Sequence, residues 1–328
     1  MKFWVFILTL ILLPVFSIQG QTYTGVTPDD IIQGNIFLRV LPDVPEPNQQ
    51  VTAILESSSL DLDSSVIIWT LNQAELRRGR GVKTVDFNTG RVGSRFTITA
   101  TIDSPEGEYT KSLTLEIGSV DILWQGEGYV HPFYKGRTLW GRQTAVTLMA
   151  IPNIPGTRIE NLIFRWSQNG SVIGSASGAG RNSLSVVDSI LNLEKKITVE
   201  VFKGGAIPIA KASINIATAD PVALVYENSP LLGIIFERSM EGLTLLKDKE
   251  ITFSAFPFFF SGSARNADFF SYEWATNSRS VQKTASVTYR APEGEGQSYV
   301  NLVIRNINKD LQEGTKDFLL KYNNEANF

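Results

Sequence analysis

Apolar and polar residues alternate along short segments throughout the chain, and three of these segments carry a tryptophan. The three segments are residues 66–71 around Trp69, 162–167 around Trp166 and 270–275 around Trp274. Alternation with a period of two residues is typical of a β-strand that buries one face. A polar turn containing Gly or Asn follows each tryptophan segment, and another β-rich segment begins roughly 30 residues after each tryptophan. The pattern therefore predicts three similar β units in tandem.

The other apolar segments complete each unit, and none of them has the sustained period of a helix. They are residues 35–40, 50–56, 83–88, 96–102 and 111–117 in the first unit, 120–125, 144–152 and 196–202 in the second, and 222–227, 250–257 and 298–305 in the third. A tryptophan on a central strand between two sheets is typical of an immunoglobulin-like sandwich. The predicted fold is all-β, with three tandem immunoglobulin-like (PKD-like) β-sandwich modules behind a signal peptide. Trp69, Trp166 and Trp274 are the predicted structural core residues of the three modules.

The second and third units align with each other, which indicates an internal duplication. Residues 122–125 (ILWQ) match residues 224–227 (LVYE), roughly 100 positions apart. The pattern predicts six consecutive parts of the chain. They are a signal peptide at 1–20, an N-terminal arm at 21–34, modules at 35–118, 119–219 and 220–322, and a C-terminal tail at 323–328.

The N-terminus predicts export. Lys2 precedes an apolar run at residues 3–16, and the small residue Gly20 follows, as in a secretory signal peptide. The bulky Ile18 leaves an uncleaved N-terminal anchor as the alternative. No later apolar run reaches about 18 residues, so no membrane span is predicted in the mature chain. The chain has no cysteine, which excludes a lipid-modified cysteine and favours an exported bacterial protein of the periplasm or cell surface.

The third unit resembles the polycystic-kidney-disease-type (PKD-like) repeats of exported bacterial proteins. The resemblance lies in residues 271–274 (SYEW), 287–294 (VTYRAPEG) and 299–306 (YVNLVIRN). The Asp- and Gly-rich motif that follows the tryptophan in that family is replaced here by residues 275–279 (ATNSR). The resemblance implies extracellular spacing, adhesion or contact with carbohydrate or protein, and it fixes no ligand.

The charge of the chain argues against nucleic acid as a partner. The formal net charge is −3 and the pI is about 5.5, so no extended positive field attracts phosphate. The one basic cluster is Arg77, Arg78 and Arg80 with Lys83. We predict that this cluster forms a solvated hairpin tip.

The residues that catalysis and metal binding usually require are sparse. His131 is the single histidine, and no Gly-x-Ser-x-Gly motif accompanies it, so a structural role is predicted for it. Asp61 and Asp63 lack the Gly and distal Glu of a calcium loop. The sequence therefore predicts no enzyme, no cofactor and no metal site, with a hydrolase of unrecognised site as the least favoured alternative.

The leading prediction is a non-catalytic exported structural or binding protein: a spacer, adhesion or envelope-assembly module acting through protein contacts. Phe258, Phe259 and Phe260 are consecutive, so they cannot all point to one face of a sheet. They are predicted either to bind a protein partner or a second copy of the chain, or to pack against the second module or the strand ends of their own module. The alternative function is carbohydrate binding by exposed rings, for which the candidates are Trp124, Tyr129, Tyr134 and Trp140.

Overall fold

The structure, a computed structural model, describes residues 35–131, 133–187, 194–246, 248–262 and 264–324. The predicted signal peptide, the predicted arm and residues 325–328 of the predicted tail lie outside the described residues. Within them, the chain is all-β as predicted, and its helical turns are the short 3₁₀ segments Ile159–Asn161 and Gly174–Ala176. In this described part, no helix has the length and apolar character to cross a membrane.

The first sandwich has seven strands in two antiparallel sheets. They are β1 (Ile36–Leu41), β2 (Gln50–Ser57), β3 (Val66–Leu71), β4 (Ala74–Arg80), β5 (Thr84–Asn88), β6 (Arg95–Ser104) and β7 (Gly107–Glu116). The sheet orders are β1-β2-β5 and β4-β3-β6-β7. Alternate residues of β6, from Phe96 to Ile102, are buried between the sheets around Trp69. The period of two in the sequence therefore marks the inner faces of the two sheets.

The basic cluster of the first sandwich lies on a strand, so the prediction of a hairpin tip was wrong. Asn72 and Gln73 form the turn with φ of 49° and 74°, and Arg77, Arg78 and Arg80 follow on β4 at the sheet edge. Asn tolerates this left-handed region better than most residues. Exposed charged side chains on an edge strand hinder pairing with another chain.

The second sandwich repeats this plan. Its strands are β8 (Ser119–Gly126), β9 (Ala145–Asn153), β10 (Ile163–Gln168), β11 (Ser171–Val172), β12 (Gly178–Ala179), β13 (Ser183–Val187), β14 (Glu194–Phe202) and β15 (Ala210–Ala217). One sheet has the order β13-β9-β8, and the other has the order β11-β10-β14-β15 with β12 also paired to β10. Trp166 is fully buried between them.

The third sandwich has the same plan with a longer connection between its first two long strands. Its strands are β16 (Val222–Ser229), β17 (Gly233–Ile234), β18 (Leu243–Leu245), β19 (Glu250–Phe258), β20 (Phe270–Thr276), β21 (Arg279–Gln282), β22 (Ser286–Arg290), β23 (Gly294–Asn306) and β24 (Glu313–Asn324). The sheet orders are β17-β16-β19-β22 and β18-β24-β23-β20-β21. Trp274 lies in its core. Because β24 continues to Asn324, the last strand extends beyond the predicted module end at residue 322.

In all three sandwiches the strand after the tryptophan strand pairs with that tryptophan strand. The pairs are β3 with β4, β10 with β11 and β20 with β21. Constant-type immunoglobulin domains instead divide their seven strands into four and three, with the fourth strand in the other sheet. The architecture is therefore an immunoglobulin-like sandwich in which the strand after the tryptophan strand belongs to the tryptophan-bearing sheet.

Each tryptophan indole also makes the same hydrogen bond. Trp69, Trp166 and Trp274 donate from Nε1 to the carbonyl oxygens of Val82, Arg181 and Thr284 at 2.7, 2.9 and 2.8 Å. Each acceptor lies two residues before the last strand of the smaller sheet, namely β5, β13 and β22. The indole therefore joins the two sheets by a hydrogen bond as well as by packing, since a buried N–H needs a partner.

The same geometry recurs at the third residue after each tryptophan. Asn72, Asn169 and Asn277 have φ of 49°, 50° and 46°. Their Oδ1 atoms accept hydrogen bonds of 2.9 Å from the amides of Thr97, Lys196 and Tyr299. The repeated Trp-x-x-Asn spacing thus closes the hairpin and ties it to the neighbouring long strand.

Candidate functional site

Strand β19 of the third sandwich is apolar on both faces. Phe253 and Ala255 point into the core of the third sandwich, and the next residue, Phe256, on the opposite face, is only 2% exposed. Neighbouring residues of a strand point to opposite sides of its sheet. The outer face of β19 must therefore be covered by another part of the chain.

The cover is the connection between β8 and β9 of the second sandwich, residues 127–144. The His131 ring stacks on Phe258 with centroids 3.6 Å apart and lies 5.1 Å from Phe256. Phe133 packs at 4.3 Å from Phe236, which itself lies 5.3 Å from Phe256. We call His131, Phe133, Phe236, Phe256 and Phe258 the interdomain aromatic cluster. It joins the second and third sandwiches through aromatic packing.

Polar contacts join the same two sandwiches beside the aromatic cluster. Leu311 N donates to Gln143 Oε1 at 2.9 Å, and Gln312 Nε2 donates to Arg142 O. The segment between β15 and β16 adds two contacts with the second sandwich, a hydrogen bond from Ala219 N to Trp140 O at 2.7 Å and an ion pair of Asp220 with Arg142 at 3.5 Å. Gln312 is 1% exposed, and its Oε1 accepts from Ser261 and Asn306. Buried polar groups with satisfied hydrogen bonds specify one arrangement of the elements that they join.

One glycine permits the close approach of the two backbones. A Cβ built on Gly141 would lie 2.0 Å from the carbonyl oxygen of Phe259. Real Cβ atoms do not approach an oxygen so closely, so any larger residue at position 141 requires the backbones to separate. Phe259 itself has φ of 63°, an unfavourable conformation for an aromatic residue.

The predicted partner-binding residues pack within the chain. Phe260 is fully buried in the core of the third sandwich, Phe258 stacks on His131, and Phe259 contacts Phe258 edge-on at 6.1 Å. Phe258 thus packs against the second sandwich and Phe260 packs within its own sandwich. Binding of a partner by these three rings stays a prediction.

The carbohydrate candidates occupy different environments. Trp140 is 0% exposed and donates from Nε1 to Thr144 O at 2.9 Å, so its prediction as a sugar-stacking ring was wrong. The guanidinium of Arg137 lies 3.9 Å over the half-buried ring of Trp124. Tyr134 is 46% exposed, and Tyr129 lies edge-on against His131 at 4.6 Å. Trp140 is therefore fully covered and Tyr134 is exposed. Trp124 and Tyr129 are each partly covered by a neighbouring side chain.

A cavity of about 180 Å³ lies beside the interdomain aromatic cluster. It is lined by Tyr129, His131, Tyr134, Thr138, Phe258 and Phe259, among others. The structure thus brings the predicted carbohydrate candidates Tyr129 and Tyr134 next to the predicted partner residues Phe258 and Phe259. The sequence contained no local signal for this meeting, since the two groups lie on different repeats.

Burial shifts the pKa values of the ionisable side chains around the interdomain aromatic cluster. Loss of water, and secondarily the positive charge of Arg265, lower the pKa of His131 from 6.5 to about 4. Burial also raises the pKa values of Tyr129 and Tyr272. Arg265 stacks over Phe256 at 4.6 Å. At neutral pH the site therefore contains a neutral imidazole beside a cation.

The paired aspartates of the first sandwich form a closed turn. Asp61 Oδ1 accepts from the amide of Asp63 at 3.0 Å, and Asp63 pairs with Lys83 at 2.9 Å. Among the residues that the structure describes, no group of three or more His, Asp or Glu side chains is arranged to hold a metal ion. The geometry of this turn is that of a solvated loop.

Comparisons with known proteins add the following. No protein-family model and no curated protein matches the sequence. The three N-terminal domains of the bacteriophage RB49 Highly Immunogenic Outer Capsid protein align over 88% of this chain and 99% of that chain, with 9% identity and a TM-score of 0.26. The central fibronectin-III array of RIM-binding protein aligns over 86% and 93%, with 10% identity and a TM-score of 0.31. The fibronectin(III)-like modules of Clostridium thermocellum CbhA align over 56% and 94%, with 11% identity and a TM-score of 0.27. Similarity at this level carries no conclusion about function.

Proposed function

We propose that the chain is a non-catalytic exported protein that acts as a spacer or binding rod through protein contacts. The observation that carries this proposal is the contact between the second and third sandwiches, where the interdomain aromatic cluster and buried hydrogen bonds fix one relative orientation. A spacer needs such a joint, because a flexible tether does not hold its two ends at a set distance.

The path of the chain through the third sandwich suits a row of domains. Strand β16 begins beside the second sandwich, where Val222 pairs with Phe258. Strand β24 also begins there, directly after Gln312, and it ends at the opposite end of its sheet. The chain therefore enters one end of the sandwich and leaves at the other, as in a linear array.

The first joint is short as well. The amide of Gly118 donates to Ile209 O at 2.9 Å, and Lys203 pairs with Glu116 at 2.6 Å. Only two residues separate β7 from β8. A joint of this length with contacts on both sides favours a restricted orientation.

Protein contact is best placed at the hairpin tip between β16 and β17. Leu231 and Leu232 are 94% and 79% exposed, the highest values among the large apolar side chains of the described residues. Two adjacent exposed leucines lose little conformational entropy on binding and bury apolar area. We propose this tip, rather than the inward-facing Phe260, as the surface that binds a protein.

Small-angle X-ray scattering of the mature chain tests the spacer function. Three sandwiches of about 25–35 Å in a row give a maximum dimension of about 75–105 Å. Phe258→Ala should broaden the distribution of distances, because it removes the ring that stacks on His131. The matched control is Phe37→Ala, since that ring is 56% exposed. A folded-back particle, or identical curves for Phe258→Ala and wild type, would contradict a fixed joint.

Tests of export and of partner binding require protein from the native host. The intact mass should correspond to a chain that starts near Gln21, in an extracytoplasmic fraction. A mass that includes residues 1–20, together with membrane fractionation, would establish the N-terminal anchor instead. Cross-linking in the host should yield an adduct that Leu231→Ser combined with Leu232→Ser abolishes. Unchanged adducts in that double variant would exclude the hairpin tip.

A further inference from the structure

The cavity beside the interdomain aromatic cluster has the size of a single aromatic ring. Its volume is about 180 Å³, and a cavity of roughly 150 Å³ is known to hold benzene in another protein. Phe258 and Phe259 supply aromatic walls. Val130, Tyr134 and Leu139 also line it and are 41%, 46% and 37% exposed, so solvent reaches its mouth.

Two polar side chains of this cavity have unmet hydrogen bonds. Both ring nitrogens of His131 and the Oγ1 of Thr138 are buried and have no hydrogen-bond partner among the described residues. His131 is 3% exposed and Thr138 is 6% exposed. A neutral imidazole presents one donor and one acceptor, and a hydroxyl presents both. Leaving such groups unpaired costs stability, so a ligand that pairs with them gains affinity.

We propose that this cavity binds a phenolic ring, that is, a six-membered aromatic ring carrying a hydroxyl group. The ring fills the aromatic part of the cavity, and the hydroxyl exchanges hydrogen bonds with His131 and Thr138. Arg137 also lines the cavity, and its positive charge disfavours cationic ligands. The ring belongs either to a small free phenol or to a tyrosine side chain of a partner, and the chemistry of recognition is the same. This ligand site goes beyond the proposed spacer function and does not depend on it.

The ligand pair p-cresol and p-xylene tests the proposal, because the two differ only by a hydroxyl in place of a methyl group. Since His131 is the single histidine of the chain, its ring resonances report binding without overlap from another histidine. We expect saturable shifts with p-cresol, with a dissociation constant on the order of 1 mM for so few atoms. We expect roughly tenfold weaker binding of p-xylene, since it leaves the polar groups unpaired. Absence of p-cresol binding, or equal affinity for both, would overturn the proposal.

Two variants separate the hydrogen bonds from the packing. His131→Phe retains a ring against Phe258 and should abolish the preference for p-cresol, as measured by calorimetry. Thr138→Val keeps the shape of the side chain and should reduce the preference, and it serves as the test if His131→Phe does not fold. An undiminished preference in a folded variant would contradict the assigned role.

N-acetyltyrosinamide distinguishes the two sources of the ring. Binding of this compound as well as p-cresol would assign the site to a tyrosine side chain. Binding of p-cresol alone would assign it to a free phenol, because the peptide groups would then not pass the rim at Tyr134 and Leu139. Scattering by Phe258→Ala tests the spacer function separately, so either proposal can fail while the other stands.

Discussion

Acid should weaken the contact between the second and third sandwiches through His131. Its pKa in the folded chain is about 4, below the ordinary value of 6.5, so the unfolded chain binds a proton more readily. The stability that depends on the neutral ring is therefore complete above pH 6.5 and is lost as the pH falls toward 4. The loss is about 2 kcal/mol at pH 5 and about 3 kcal/mol at pH 4.

The neighbours of the ring explain why it resists protonation. Phe256 and Phe258 exclude water on one side, Tyr129 lies against another edge, and Arg265 adds a positive charge. Protonation would place a positive charge against these apolar rings and beside Arg265, which weakens their packing. This contact should therefore open on acidification before the cores of the sandwiches unfold.

Urea unfolding at pH 7 and pH 5 measures this effect, with His131→Phe as the matched variant. Surface carboxylates titrate in both proteins, so the difference between the two isolates the histidine. We expect that difference to change by about 2 kcal/mol between the two pH values. An equal acid sensitivity of wild type and variant, or a histidine NMR titration midpoint near 6.5, would refute the reasoning.

Three further substitutions test the fold and the joint. Trp166→Ala should destabilise the second sandwich by about 3–5 kcal/mol through the cavity that it leaves, and a near-neutral melting shift would count against the buried role. Asn169→Ala should cost about 2 kcal/mol in urea unfolding, from its φ of 50° and its lost hydrogen bond, whereas Asn169→Asp should cost less because it retains an acceptor. Gly141→Ala should separate the second and third sandwiches in scattering, because its Cβ would meet Phe259 O. Gly174→Ala, which meets nothing within 4 Å, is its control, and equal behaviour of the two would contradict the close approach.

The strands could be predicted because one-sided burial has a local signature. The prediction of residues 66–71 matches β3, and Trp69 lies in the core as the alternation requires. Strand β4 was missed because every residue from Ala74 to Arg80 is outside the core. An exposed edge strand has no apolar face to produce the period of two.

The Trp-x-x-Asn spacing could be read from the sequence, but its structural role could not. A polar turn after each tryptophan could be read from the sequence, and Asn72, Asn169 and Asn277 occupy the same place in it. Their hydrogen bonds to Thr97, Lys196 and Tyr299 cross more than 20 residues of chain. Such a bond depends on how the hairpin meets its neighbouring strand, and that information is not local.

The interdomain contact could be predicted only in part from the local sequence pattern. A strand with phenylalanine on both faces indicates that something covers its outer face, and β19 satisfies that expectation. The pattern does not identify the cover, which comes from His131 and Phe133 in the preceding repeat. Without this loop Phe258 would lose the ring that stacks on it, and Phe256 would keep only the cover that its own sandwich supplies through Phe236. The third sandwich therefore forms its inner core alone, whereas the outer face of β19 packs against the second sandwich. Its stability and its orientation relative to the second sandwich depend on the same contacts.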